Sequence, residues 1–290
     1  MRVLVTGATR GIGRAIVEAI AARTACNDAH TTIYIGCRDA AAGADLAAET
    51  TRATVTVCPL RLEVTDRASV AAAAAEVAAT GSKLDALVNN AGVLLERDGS
   101  DLKQIVEPCL KVNLDGAVNV TEAFLPLLRD GGMVVNVSSG AGTRAAAALS
   151  AADRASLDTA ESPEHLREAA SRLAYAAAAL PHQPDETPIY ALSKAALNSY
   201  TRLVAAQASG LYVNACSPGF CRTEIAGRNV TYKREPKDAR LGADVVIKLL
   251  FGEAGGGTTG CFFKESSKPG TPLEAARSVL EPWIAQPAGE

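Results

Sequence analysis

Aromatic residues are scarce in this chain, at 4% of 290 residues. Alanine occupies 57 positions instead. Much of the 48% hydrophobic content is therefore small and helix-forming, and overstates the volume of the core. A basic excess is also lacking. The formal net charge of −3 and pI near 5.8 argue against a nucleic-acid partner, which needs a basic face. No run approaches the roughly 18 apolar residues of a membrane span, so no membrane partner is expected. The opening MRVLVTGATRGIGRA lacks the charged region, long apolar run and small-residue cleavage site of a signal peptide. No Cys-x-x-Cys occurs. The seven cysteines (Cys26, Cys37, Cys58, Cys109, Cys216, Cys221, Cys261) are odd in number and scattered. That favours free thiols in a reducing, cytoplasmic setting over disulfides or a zinc site. His30, His165 and His182 show no ligand spacing, and no metal is expected. Asn119-Val120-Thr121, Asn136-Val137-Ser138 and Asn229-Val230-Thr231 match the glycosylation pattern; without a secretory signal they read as chance matches.

The length admits two domains or one large α/β domain. Strand-like and helix-like segments alternate over the first 140 residues. Strands are expected at Arg2–Thr6, Thr31–Ile35, Thr54–Cys58, Leu84–Val88 and Met133–Val137. Helices are expected at Ile12–Arg23, Ala40–Thr50 and Asp66–Thr80, and over Asp101–Leu128 in two pieces broken near Asn113. Short, continuously apolar strands suit a sheet buried on both faces, and the alternation implies right-handed crossovers and parallel strands. From Ala141 to Glu186 strands vanish, alanine rises and Pro163, Pro181 and Pro184 punctuate, which reads as a helical insertion. Ser162-Pro163-Glu164 is a helix start, with an N-cap, a proline at the first position and an acid in the first turn. The rhythm resumes with a helix from Thr187-Pro188 to about Ser209, a strand at Leu211–Ala215, a helix at Asp238–Leu250, a turn at Gly255-Gly256-Gly257, a seventh strand at Thr259–Phe263 and a terminal helix at Leu273–Ile284. The expected architecture is a doubly wound α/β fold with a seven-stranded parallel sheet.

Thr6-Gly7-Ala8-Thr9-Arg10-Gly11-Ile12-Gly13 lies between the first strand and the first helix. Glycines let the backbone turn sharply and approach a ligand, and the helix start offers N–H donors and a positive dipole to a pyrophosphate. The spacing G-x-x-x-G-x-G differs from the G-x-G-x-x-G dinucleotide fingerprint, and no Gly-Lys-Ser/Thr follows to make a nucleoside-triphosphate loop. At the end of the second strand, an NAD site places an acid against the ribose hydroxyls. Here Gly36-Cys37-Arg38-Asp39 puts an arginine there, a bidentate partner for a 2′-phosphate, and Arg10 adds a second positive charge. NADPH is the expected cofactor. The bland readings are a solvated Arg38 and an Asp39 that caps the next helix.

Tyr190 and Lys194 stand i,i+4 on one helix face. A free tyrosine titrates near about 10 and is a poor acid–base group at neutral pH. A neighbouring ammonium lowers that value and makes the phenol usable. Such pairs also occur by chance on solvated faces.

Thr6–Gly13, Asn89-Asn90-Ala91-Gly92, Asn113, Val135-Asn136-Val137-Ser138-Ser139, Tyr190 with Lys194, and Pro218-Gly219 occur in that order. Together they resemble the short-chain dehydrogenase/reductase family over nearly the whole chain. The separation of 51 positions from Ser139 to Tyr190, Arg38, and Cys216–Thr223 resemble its monomeric NADPH-dependent carbonyl reductase branch. The resemblance implies one NADP-binding domain over residues 1–290 with the insertion at 141–186, working as a monomer. It implies that Tyr190 protonates a carbonyl oxygen as hydride arrives from nicotinamide C4. Lys194 lowers the Tyr190 pKa and holds the ribose, Ser139 hydrogen-bonds the substrate oxygen, and Asn113 helps hold a proton-relaying water. The cofactor surface is drawn from Gly7, Thr9, Arg10, Gly11, Ile12, Gly13, Arg38, Leu62, Glu63, Asn90, Ala91, Gly92, Tyr190, Lys194, Pro218, Gly219 and Thr223. Glu63 departs from the family's usual Asp at the adenine.

The expected reaction is NADPH-dependent reduction of an aldehyde, ketone or quinone, with a small-molecule carbonyl as partner. A non-catalytic NADP-binding redox sensor and an NAD-dependent alcohol or steroid dehydrogenase are the alternatives. The insertion, Val93–Arg97 and Phe220–Ile225 are expected to wall the pocket. Cys221 reads either as a pocket thiol or as an unreactive buried cysteine.

Overall fold

The computed structural model describes residues 1–25, 29–96, 100–182, 186–226, 235–253 and 257–264. Among them, β1 (Arg2–Thr6), β2 (Thr31–Cys37), β3 (Val55–Arg61), β4 (Leu84–Asn89), β5 (Leu128–Val137), β6 (Tyr212–Ser217) and β7 (Phe262–Lys264) form one sheet. Its order is β3-β2-β1-β4-β5-β6-β7 and every pairing is parallel. The strand order reverses between β1 and β4, which opens a crevice at their carboxyl ends.

Successive side chains of each strand point to opposite faces, and both faces are covered. Val3, Val5, Ala86, Val88, Val135 and Val137 meet α1 (Gly11–Thr24), α2 (Ala40–Thr50) and α10 (Ala239–Leu250). Leu4, Leu84, Leu87 and Val134 meet α3 (Arg67–Ala79), α4 (Leu102–Leu110), α5 (Gly116–Phe124) and α9 (Pro188–Gln207). The continuous apolar strands are thus the signature of a sheet with no solvent face.

Several elements depart from expectation at their ends. β3 runs three residues past Cys58 and includes Pro59, which an edge strand tolerates because its outer N–H has no ladder partner. β5 begins at Leu128, and β7 is confined to Phe262–Lys264. The break near Asn113 is a π-helical turn, Lys111–Asp115, between α4 and α5. Cys26, Arg97, Pro184, Asn229-Val230-Thr231, Gly255-Gly256 and the expected Leu273–Ile284 helix lie outside the described residues.

Between β5 and α9 the chain forms α6 (Gly140–Ala148), α7 (Ala151–Asp158) and α8 (Pro163–Ala178). Ser162 caps α8 by accepting the His165 N–H at 3.2 Å, as its sequence signature requires. α8 packs on α4 and α9 through Leu166, Ala169, Ala170, Leu173 and Ala174. Arg167 of α8 bridges Glu107 at 2.6 Å and Asp115 at 2.9 Å, tying the insertion to the π-helical turn. On α6, Gly142 lies so close to the backbone of Lys194 and Ala195 that a Cβ would overlap it. Small residues, not aromatics, set these helix contacts. No helix among the described residues is long and apolar enough to cross a membrane.

A buried polar network pins the sheet to the helices. Asn89 of β4 donates to Thr121 of α5 and to Asn136 of β5, each at 2.8 Å, and Asn136 donates to Thr201 of α9 at 2.9 Å. Asn136 is fully buried, so its glycosylation pattern is a chance match.

Candidate active site at the carboxyl end of the sheet

The glycine turn follows β1 and opens α1. Gly7 and Gly11 have φ of +61° and +54°, a left-handed backbone that other residues adopt only with strain. A Cβ on Gly13 would run into Gly7 O and the Asn90 amide. Asn90, at the end of β4, donates from Nδ2 to Thr6 O at 2.9 Å and Gly7 O at 3.1 Å. The Thr6 hydroxyl in turn accepts the N–H groups of Asn90 and Ala91, both at 3.0 Å. The first and fourth strand ends are therefore held together with almost no side chain between them. Thr9 is half-buried in the turn, and Ile12 packs on the apolar layer under α10.

Asp39, Asp66, Asp101, Ser139, Ser150, Ser162 and Asp238 cap the starts of α2, α3, α4, α6, α7, α8 and α10 with their side chains. No side chain caps α1. An uncapped helix start at the end of a glycine turn fits a pyrophosphate. Thr223 comes to the same place: a Cβ on Gly11 would lie 3.3 Å from its methyl group.

The two arginines expected at a phosphate are each paired. Arg10 meets Glu224 at 2.7 Å, and Arg38 meets Glu63 at 3.5 Å. Both guanidinium groups are largely exposed, so these pairs are weak. Glu63 also accepts from Thr65 N–H at 3.1 Å and its hydroxyl at 2.9 Å, and Leu62 N–H donates to Cys37 O at 2.9 Å. Arg38, Leu62 and Glu63 thus form one corner beyond β2 and β3. The local basicity expected of this corner is partly neutralised by Glu63.

The π-helical turn directs Asn113 inward, where it is fully buried. Its Oδ1 accepts Val93 N–H at 2.7 Å; its Nδ2 donates to Val93 O at 2.8 Å and to Ser193 Oγ at 2.9 Å. It caps nothing: α5 starts without a side-chain cap. Gly92 brings Asn113 and Lys194 to one point, since a Cβ there would lie 3.2 Å from Asn113 Oδ1 and 3.4 Å from Lys194 Nζ. Lys194 is buried and donates to Val137 O at 2.9 Å. Burial lowers its pKa to about 8.

Tyr190 is half-buried on the first turn of α9, and the Ser139 hydroxyl lies close enough to favour its phenolate. Ser139 also caps α6, accepting Ala141 N–H at 3.1 Å. The sequence expectation is that Lys194 lowers the Tyr190 pKa, and burial acts against it. Burial pushes the phenol up to about 12, Cys109 and Glu96 add to the rise, and the Ser139 hydroxyl opposes it. The Lys194 ammonium sits 5.9 Å from the ring centroid. A phenol so placed stays protonated at neutral pH and can act as a donor.

Pro218 and Gly219 follow β6. Ser217, which spacing alone does not reveal, accepts Gly140 N–H at 3.1 Å and Gly219 N–H at 3.3 Å, joining the Ser139 and Pro218 ends. Ser193 is a second unforeseen residue: its hydroxyl donates to Tyr190 O at 2.7 Å and accepts from Asn113. Ser138, the first serine of the Val135–Ser139 motif, donates to Lys194 O at 3.2 Å. Cys221 is buried against Gly242 with its thiol on Pro218 O at 3.4 Å, the unreactive reading of the two. Burial pushes Cys109 up to about 11 and Cys216 up to about 12, so neither thiol is a nucleophile.

The family profile described as short chain dehydrogenase matches residues 1–152. The chain is 28% identical to (+)-neomenthol dehydrogenase of Arabidopsis thaliana, over 90% of this chain and 94% of that one. It is 28% identical to carbonyl reductase [NADPH] 1 of Oryctolagus cuniculus, over 85% of this chain and 89% of that one. The structure of salutaridine reductase from Papaver somniferum superposes with a TM-score of 0.73 at 26% identity, covering 90% of this chain and 98% of that one. A seven-stranded parallel sheet, the uncapped glycine turn at its crevice and these relatives give one conclusion: the chain is an oxidoreductase of the short-chain dehydrogenase/reductase family.

Proposed function

We propose that this protein reduces an aldehyde, ketone or quinone carbonyl with NADPH. The observation that carries the reading is the pairing of Tyr190 with Ser139 beside a buried Lys194. A carbonyl oxygen gaining negative charge is stabilised by two convergent donors, and these hydroxyls supply them. Tyr190 holds its proton at neutral pH and gives it to that oxygen; Ser139 orients the oxygen. Lys194 and Asn113 stand at one point beside Gly92, where they would hold the ribose side of the cofactor and return a proton toward Tyr190.

The residues fit a dinucleotide: an uncapped α1, glycines that leave no Cβ in the cradle, and an arginine at the end of β2. Gly7, Thr9, Gly11, Ile12 and Gly13 would take the pyrophosphate; Arg10 and Arg38 the 2′-phosphate; Leu62 and Glu63 the adenine; Asn90, Ala91 and Gly92 the adenosine ribose; and Pro218, Gly219 and Thr223 the nicotinamide. The bound nicotinamide supplies hydride. The choice of NADPH is supported by Arg38 and by the relative named carbonyl reductase [NADPH] 1.

The test is Tyr190→Phe, assayed by NADPH absorbance over a panel of aldehydes, ketones, diketones and quinones. Turnover is expected to fall by about 10³-fold or more while NADPH still binds. Wild-type-like turnover in Tyr190→Phe sinks the mechanism.

A further inference from the structure

We propose that Glu96 is a positioning residue for Tyr190: its carboxylate caps the first turn of α9 from across the site and sets a negative charge beside the phenol. The proposal rests on Tyr190 being the proton donor.

α9 does not cap itself. Thr187 is of a capping residue type, yet its side chain makes no cap bond, and Pro188 has no N–H to offer. Glu96 Oε1 instead accepts the Tyr190 N–H at 2.7 Å, across 94 residues of sequence. Glu96 is 8% exposed. Burying a charge is costly, and a helix N-terminus offsets that cost with its dipole and its N–H groups. A structural cap needs only a hydroxyl at Thr187, so a buried carboxylate in that role does something more.

The geometry indicates what that is. Glu96 ends the segment whose other end, Val93, is gripped by Asn113. One short stretch therefore registers the π-helical turn against the Tyr190 backbone. The groups that act on the phenol are Ser139 at the start of α6, Cys109 of α4 and Glu96, and Lys194 of α9 lies 5.9 Å from its ring centroid. Ser139 favours the phenolate, while Glu96 and Cys109 oppose it. Glu96 thus holds the proton on Tyr190 and biases the site toward donation.

Two variants separate the cap from the charge. Glu96→Gln keeps an acceptor for the Tyr190 N–H and removes the charge. Glu96→Ala removes both. With NADP and 4-nitrobenzyl alcohol as probes, the pH midpoint of oxidation should move down by about half a unit in Glu96→Gln. Reduction of 4-nitrobenzaldehyde should then fail at correspondingly lower pH. In Glu96→Ala, amide exchange over residues 189–192 should quicken by about tenfold, and kcat should fall while the KM for NADPH holds. An unmoved midpoint in Glu96→Gln overturns the proposal, because a purely structural cap leaves the titration alone. Unchanged exchange in Glu96→Ala overturns it whether or not the wild type turns the aldehyde over. A wild type that reduces no carbonyl defeats the proposed function separately, and the exchange measurement still decides whether Glu96 holds Tyr190.

Discussion

Asn113→Ala removes three strong side-chain hydrogen bonds at once, two to the Val93 backbone at 2.7 and 2.8 Å and one to Ser193 at 2.9 Å, together with a weaker one to Cys109 Sγ at 3.3 Å. Asn113 is only 1% exposed, so bulk water does not replace them. A typical buried bond contributes about 1 kcal/mol net, which gives about 3 kcal/mol for the three. A single water filling the polar hole would return part of this, and unsatisfied Val93 groups would add to it, so roughly 2–4 kcal/mol is expected. At about 2–4 °C per kcal/mol for a chain of this size, the unfolding midpoint should fall by roughly 6–12 °C for the central value. Asn119→Ala is the internal control. That amide donates one bond, to Val64 O at 3.0 Å, and its loss should cost about 1 kcal/mol. The assay is thermal or urea unfolding of both variants without added cofactor. A drop for Asn113→Ala no larger than for Asn119→Ala would refute the reading of Asn113 as a latch on Val93. If stability holds and turnover is lost, the amide serves the chemistry directly instead.

Two further outcomes follow from the charges of the site. Arg38→Asp should weaken NADPH binding by about 10–100-fold, the loss of a charge-assisted phosphate contact worth about 1.5–3 kcal/mol, and leave NADH binding intact. Titration calorimetry with both nucleotides checks this, and an unchanged NADPH-to-NADH ratio contradicts the cofactor assignment. Lys194→Met should abolish turnover yet raise stability at pH 7, because it removes a buried ammonium. The folded pKa of Lys194 is lowered to about 8 from 10.5, so between those values the unfolded chain binds more protons and wild-type stability rises with pH. The stability gap between wild type and Lys194→Met should therefore shrink from pH 7 to pH 9.5; a gap independent of pH would show that the ammonium is not desolvated.

The parts of this site that lie near one another along the chain are legible in the amino-acid sequence. The glycine turn is read from Gly7, Gly11 and Gly13 at a strand–helix junction, and Tyr190 with Lys194 from their i,i+4 spacing. The caps at Asp39 and Ser162 are likewise readable, because a cap is a local event. The break at Asn113 is visible as an interruption, but its form as a π-helical turn is not. What escapes are the contacts that cross the sheet. Asn113 to Val93, Ser217 to Gly140 and Glu96 to Tyr190 join segments 20, 77 and 94 residues apart, and no periodicity records them. The Tyr190 titration escapes for a related reason. Spacing places Lys194 on the same helix face, which argues for a lowered pKa, but burial is a property of everything packed around the phenol. Desolvation by many neighbours outweighs the one charge that the sequence exposes. Residue type and spacing identify the reacting groups of such a site, because those are constrained by chemistry. The groups that set their protonation are constrained only by where the fold brings them, so the sequence places Glu96 in a pocket-walling segment but does not reveal that it stands on the Tyr190 backbone.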